Sequence, residues 1–454
     1  MDSAKPSLEQ PVQPWQHDVI LPFVPSRFLQ TRYILSVIMV AALGVRVALA
    51  FYLGWGEGPD HGACGQDAVD FYDMAVSFSH GEGIRLGSGD LTAFRAPGYP
   101  MLLGTLFAIF GEILWLNRVL QIVCSLVTVW ATWQLALNLR FSRTWAALSA
   151  LLVACLPLQF YYASHYLSET PAMMFLVLGT LALVVANKCE CGKHFFFWIT
   201  LSGLANGASI LIRPASVLLI AIIPLFLLVY YRKTWQKAFL AACLFGLTSV
   251  AIFLPWTIRN YQVFGRFALV ANNGGSTFWG ANNAIVADPS SGHWGNWVST
   301  STFKAQKEEA LGHLDNEVAR DKAEYRQGVN FLLENPGKIP LLAAGKLFRM
   351  LSPFPLSANR IYVLVVAFGE SVLMPLFLIG LWITLRRGHW QPLWPLIAQL
   401  VALLGTVLIF YGSLRFRMPY QPIMALFASA AIATLANRFF HHSPVKRDNP
   451  EPAQ

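Results

Sequence analysis

The feature that most constrains this chain is a series of apolar runs, each long enough to cross a lipid bilayer. An α-helix rises about 1.5 Å per residue, so about 20 residues span the roughly 30 Å hydrocarbon layer. Runs near 33–54, 114–138, 145–164, 171–187, 195–212, 214–231, 238–257, 361–385, 392–411 and 418–437 meet that length. Charged residues make up only 13% of the 454-residue chain, against roughly 25% in soluble domains. The expected fold is therefore an all-α polytopic membrane protein with about ten transmembrane helices. One further apolar run, 97–111, is too short to span and opens with "APGYP". It reads as an interfacial or re-entrant helix.

Loop charge orients the runs. Arg140, Arg143, Arg232, Lys233, Lys237, Arg386 and Arg387 all fall on one side, together with the "HHSPVKRD" tail. The positive-inside rule makes that side cytoplasmic, with both termini. The expected division is a cytoplasmic segment 1–32, a transmembrane catalytic module 33–257 with an acidic first outer loop 55–113, and a long outer loop 258–360. C-terminal transmembrane helices 361–437 and a cytoplasmic tail 438–454 follow. The long outer loop, with its amphipathic "KIPLLAAGKLFRMLSPFP", forms a small extracytoplasmic layer of interfacial helices rather than an independent domain.

The net charge of +9 comes from basic pairs between apolar runs, not from a stripe, which excludes nucleic acid as a partner. No apolar signal core precedes Tyr33, so no cleaved secretory signal is expected. Cys124, Cys155 and Cys243 lie in apolar runs, and Cys64 stands alone in a loop. "CECGKH" (Cys189, Cys191, His194) offers at most three ligands from one loop and reads as ordinary thiols. No acid cluster calls for a metal, so no metal or cofactor is expected.

The candidate chemistry lies on the outer side. In "GQDAVDFYDMAVSF", helical spacing puts Asp67 at the head of an apolar stripe with Phe71, Met74, Ala75 and Phe78. Asp70, Asp73, Ser77 and His80 fall on the other face, which reads as solvated. Asp67 is either the helix cap or a partly desolvated general base, two compatible roles. Glu169 in "SHYLSETPAM" is a helix start that the dipole favours, or, with His165, an acid that orients a nucleophile or a sugar hydroxyl. Arg95, Arg213, Arg415 and Arg417 sit on the side that the charge bias leaves poor in cations. They either snorkel to lipid headgroups or hold an anion, and guanidinium suits phosphate. Arg46, inside the first run, needs a partner. "ALVANNGGSTFWGANN" supplies amides (Asn272, Asn273) beside an aromatic (Trp279), a combination that suits a sugar or polar headgroup.

In chain order, "QDAVDFYDMA", "FRAPGYPMLLG", "YLSETPAM", "LIRPAS", "PWTIRNYQVFGRF", "NNGGSTFWGANN" and "LRFRMPYQP" resemble the GT-C superfamily of integral-membrane glycosyltransferases. The likeness is to bacterial relatives of protein O-mannosyltransferases and of the lipid A aminoarabinose transferase. It implies inverting transfer of a sugar from a polyprenyl-phosphate donor to a lipid, glycan or protein acceptor. The implied site faces the extracytoplasmic side of the inner (plasma) membrane. It further implies Asp67 as base, Glu169 as the second acid, and Arg213, Arg415, Arg417 and Arg95 on the donor phosphate. Asp70, His165, Asn272, Asn273 and Trp279 are the candidates for sugar or acceptor. Gln66 before Asp67, and Glu rather than Asp at 169, depart from the family pattern. The competing readings are a lipid or sugar translocase, which would place polar residues deep in several spans, and a membrane scaffold.

Overall fold

A computed structural model describes residues 33–52, 58–59, 65–87, 89–312, 314, 316–357, 359–388 and 391–440. The N-terminal segment 1–32, Cys64 and residues 441–454 lie outside them. In chain order the principal helices are α1 Ile34–Tyr52, α2 Gln66–Ser79, α3 Gly98–Phe110, α4 Trp115–Asn138, α5 Arg143–Cys155, α6 Pro157–Tyr162 and α7 Glu169–Ala186. Next come α8 Gly192–Ile212, α9 Leu219–Tyr230, α10 Trp235–Phe264, α11 Gly274–Ala281, α12 Glu317–Glu334 and α13 Ile339–Leu351. The chain closes with α14 Arg360–Arg386, α15 Trp394–Ile409, α16 Leu414–Arg417 and α17 Gln421–Phe440. The described residues form no strand.

Among the described residues, 8 helices are long and apolar enough to cross a membrane: α1, α4, α7, α8, α10, α14, α15 and the α16–α17 stretch. The chain is thus a multi-pass membrane protein. Two of the expected spans are shorter than the sequence implies. The run 145–164 breaks into α5 and α6 because Pro157 has no N–H to donate and holds Leu156 in an extended conformation. The run 214–231 begins as a 3₁₀ turn at Pro214–Ser216 before α9. The run 97–111 becomes α3, a helix of 13 residues, too short to span.

Lipid gives apolar helices no hydrophobic reason to associate, so small residues and polar bonds hold such a bundle together. The central helix α17 carries Ala425, Ala428, Ala431 and Ala433, all buried. Leu247, Leu364 and Phe368 instead point outward, as lipid-facing residues do. Arg46 finds hydrogen-bond partners for two of its three side-chain nitrogens at this depth. Its Nε donates to Ser125 Oγ at 2.7 Å, its Nη1 to the carbonyls of Ala42 and Ala154, and its guanidinium lies 5.1 Å from the Phe160 ring.

The basic loops meet at one end of the bundle. There Lys188 Nζ donates to Asn138 Oδ1 at 3.2 Å and Tyr231 donates to Asn187 at 2.9 Å. The opposite end carries α2, α3, the start of α7, the end of α8, the short α16 and the layer formed by α11, α12 and α13.

Candidate active site

Helix α2 begins after Gly65, which supplies no side-chain cap, so Asp67 is a first-turn residue rather than the cap itself. Its stripe packs as spaced: Phe71 and Ala75 join Tyr99, Leu103 and Phe107 of α3. The face expected to be solvated is solvated only in part: His80 is exposed and Asp73 half-buried. Asp70 and Ser77 are buried, because the segment Ile84–Ala96 folds over that side and joins Met74 in a second apolar cluster. Arg95 rides on this segment. Its guanidinium bonds Asp70 through Nε at 3.0 Å and Asp67 through Nη2 at 2.7 Å, while Gln66 donates to the other Asp70 oxygen at 3.0 Å.

Glu169 is the first residue of α7, where the unpaired N–H groups and the helix dipole favour a carboxylate. It is wholly buried. The turn before it is fixed by Gln121, whose amide donates to Leu167 O at 2.7 Å. Arg213 ends α8 and reaches Glu169 Oε1 at 2.6 Å. Ser209 bonds both Ala172 O and Ser216, which locks the end of α8 to the start of α7. Arg415, on α16 behind its Ser413 cap, closes the set. Its Nε donates to Glu169 Oε1 and its Nη1 lies 2.6 Å from Asp67 Oδ2.

The result is one alternating chain of charge: Asp70, Arg95, Asp67, Arg415, Glu169, Arg213. Three carboxylates meet three guanidiniums, so the cluster is neutral in a setting where a lone charge would be costly. Burial alone would push the Asp67 carboxyl up; Arg415 and then Arg95 outweigh it and hold the group below its usual range. Asp67 is therefore ionised at neutral pH and able to accept a proton. Tyr411, beside this cluster, has its phenol pushed up by burial.

Other expected residues stand elsewhere. Arg417 does not join Arg415. Two positions apart on a helical turn, the side chains diverge by about 200°, and Arg417 is fully buried with Glu370 Oε2 at 2.6 Å. Gln421 donates to the same carboxylate, and Arg417 donates to Met350 O. Trp279 is buried and stacks on Phe303 at 5.4 Å, so the supposed platform is part of the apolar core of the outer layer. A large ring gains more from burial there than from facing water. Asn273 caps α11, its carbonyl accepting from Ser276 and Thr277. His165 turns Nδ1 to Tyr161 O at 2.6 Å. Asn272 is buried beside the Arg95 segment, its backbone N–H donating to Ala93 O at 2.9 Å. Both ends of its side-chain amide lack a hydrogen-bond partner among the described residues.

Two positioning residues escaped the sequence reading. Glu317 accepts from Thr92 Oγ1 at 3.0 Å and Ala93 N at 2.7 Å, which pins the segment that carries Arg95. In sequence it is only an acid after the Asn316 cap, which is normal for a helix start. Lys346 is buried and donates to Asn282 Oδ1 at 2.8 Å and Leu408 O at 3.0 Å. It ties α13 to the end of α15, just before the Arg415 turn. A lysine within the apolar stripe of "KIPLLAAGKLFRML" was its one visible signal. Among the described residues no group of three His, Cys, Asp or Glu is arranged to hold a metal ion, and Asp67, Asp70 and Glu169 each face an arginine.

Residues 95–258 match the family model described as dolichyl-phosphate-mannose-protein mannosyltransferase. No curated protein matches the sequence. Among solved structures, the archaeal oligosaccharyltransferase AglB from Archaeoglobus fulgidus, in complex with an inhibitory peptide and a dolichol-phosphate, superposes with a TM-score of 0.56 at 15% identity. The match covers 93% of this chain and 52% of that one. The apo form of the Archaeoglobus fulgidus oligosaccharyltransferase gives 0.56 at 15% identity, over 90% of this chain and 51% of that one. This chain thus spans about half the length of the archaeal protein. ArnT from Cupriavidus metallidurans bound to undecaprenyl phosphate aligns at 0.44 and 14% identity, over 88% and 79% of the two chains. The likeness to AglB gives the fold, a polytopic helical membrane bundle, and the segment that matches the mannosyltransferase family model lies inside it.

Proposed function

We propose that this protein transfers a sugar from a polyprenyl-phosphate donor to an acceptor hydroxyl or amine, on a lipid, glycan or protein, at the extracytoplasmic face. The observation that carries this reading is the alternating cluster of acids and arginines at the bundle end opposite the basic loops. A lipid-phosphate sugar keeps its tail in the bilayer and brings its anomeric carbon to that level. The archaeal neighbour, whose structure holds a dolichol-phosphate, supports the donor class.

In this mechanism Asp67 takes the acceptor's proton as the acceptor atom bonds to the anomeric carbon from the face opposite the phosphate. The bond from that carbon to the phosphate oxygen breaks, its electron pair stays on the phosphate, and the configuration inverts. Arg213 and Arg415 stabilise the leaving charge in a low-dielectric site. Glu169 holds both guanidiniums in register, and the unpaired amide of Asn272 is available to a sugar or acceptor hydroxyl.

The test is release of polyprenyl phosphate from a panel of polyprenyl-phosphate sugars, with a membrane extract as acceptor source. Asp67→Asn should lower turnover roughly 10²- to 10⁴-fold, the usual contribution of a general base. Asp70→Asn should cost far less. Equal turnover by wild type and both variants would refute the base assignment.

A further inference from the structure

Arg415 holds two carboxylates on one guanidinium, Asp67 through Nη1 and Glu169 through Nε. Each carboxylate has a second cation, Arg95 for Asp67 at 2.7 Å and Arg213 for Glu169 at 2.6 Å. The two links of Arg415 are not equivalent. The Glu169 side chain is 0% exposed, whereas those of Asp67 and Arg415 are 19% and 31% exposed. The Asp67–Arg415 contact is thus the outward link, and breaking it strands neither carboxylate.

A phosphate binds guanidinium best through two parallel N–H groups. Arg415 has little to offer in that way while its Nη1 lies on Asp67 and its Nε on Glu169. Resting on the donor reading above, we propose that the donor phosphate takes Arg415 from Asp67, so that arrival of the lipid-linked sugar itself releases the carboxylate that receives the acceptor's proton. Glu169 stays on Nε and keeps Arg415 in place, and Asp67 stays tethered by Arg95. No covalent bond changes in this exchange; one anion replaces another on the same cation.

The groups around Asp67 set the consequence. Arg95 faces it from the covering segment, Arg415 from α16 and Arg213 from the end of α8. Asp70 lies on its own helix, Glu169 on α7 and the Tyr411 phenol before α16. When Arg415 turns to phosphate, Asp67 loses a cation and gains a nearby anion, and it becomes a stronger base only once donor is bound. Asp67 is also a competitor of the donor for Arg415.

The experiment measures binding of undecaprenyl monophosphate to the purified full-length chain in detergent. Asp67→Asn should bind it roughly tenfold more tightly than wild type, about the effect of relieving one competing charge-assisted bond. Glu169→Gln should not tighten binding, and adding Arg415→Gln to Asp67→Asn should abolish the gain. General charge repulsion predicts tightening in both single variants and is separated by the same data. The proposal is overturned if Asp67→Asn binds no tighter, or if its gain survives loss of Arg415. If wild type binds no lipid phosphate at all, the donor reading falls first and takes this proposal with it. Should Asp67→Asn fail to fold, the pH dependence of the wild type decides. The acid limb of kcat should lie at higher pH than that of kcat/KM for the donor, and coincident limbs would overturn the proposal.

Discussion

Arg415 and Arg417 show how much one residue's direction decides. Both lie in "LRFRMP", and in sequence they are equivalent candidates for an anion. In the fold, Arg415 bridges Asp67 and Glu169, whereas Arg417 neutralises Glu370 between α14 and α17. Removing one partner of a fully buried pair leaves the other charge uncompensated. Arg417→Ala should therefore destabilise the protein by roughly 3–5 kcal/mol, seen as a large fall in the thermal midpoint in detergent. Arg415→Gln should cost less stability, because Asp67 and Glu169 each keep another arginine, yet lose most polyprenyl phosphate release. The reverse pattern would mean that the two roles are exchanged. Asp67, Glu169, Arg95 and Arg213 were legible in sequence as charges beside spans on one side. Their pairing was not, since Arg415 and Glu169 are 246 positions apart.

Elements place these charges through close contacts. Helix α3 reaches α2 only because Gly104 has no side chain: a Cβ there would stand 2.6 Å from Ala75 O. Gly98 does the same for the end of α8, where a Cβ would lie 2.7 Å from Ile212 N, one residue from Arg213. The outer layer is held differently, by a carboxylate on a helix start. Asp321 Oδ1 accepts from Gly275 N at 2.5 Å, and burial lifts the acid to about 6, with neighbouring Glu317 adding to the rise. An acid whose pKa is raised on folding favours the fold while protonated. Its contribution is intact below its ordinary value near 4 and is lost as pH rises through about 6. Asp321→Asn keeps the acceptor oxygen without the charge. It should stabilise the protein at pH 8 by on the order of 2 kcal/mol and have no effect at pH 4. Thermal unfolding at the two pH values checks this, and a pH-independent difference would contradict it. The sequence showed α12 as a polar helix but could not show that Asp321 faces a glycine amide of α11.

The whole molecule has two unlike ends, a basic one of short loops and a layered one that carries the ion-pair cluster. The loop-charge rule assigns the basic end to the cytoplasm. Cys191 is exposed in a loop at that end, and Ser290 is exposed in the outer layer. With Cys64 replaced by Ser, a membrane-impermeant maleimide should leave Cys191 unmodified in intact cells and label it in inverted vesicles. Ser290→Cys should behave oppositely. Labelling of Cys191 in intact cells would invert the topology and remove the cluster from the extracytoplasmic face. The sequence by itself determined the membrane class and most of the spans, and its loop charge predicts the side of each loop. Hydropathy and loop charge act locally and add up along the chain, so they can be read without coordinates. Only the tertiary structure decided that Asp70 is buried, that Trp279 is core, and which arginine meets which acid. Those outcomes depend on how segments far apart in the chain cover one another and on the direction in which each helix end aims its last side chain.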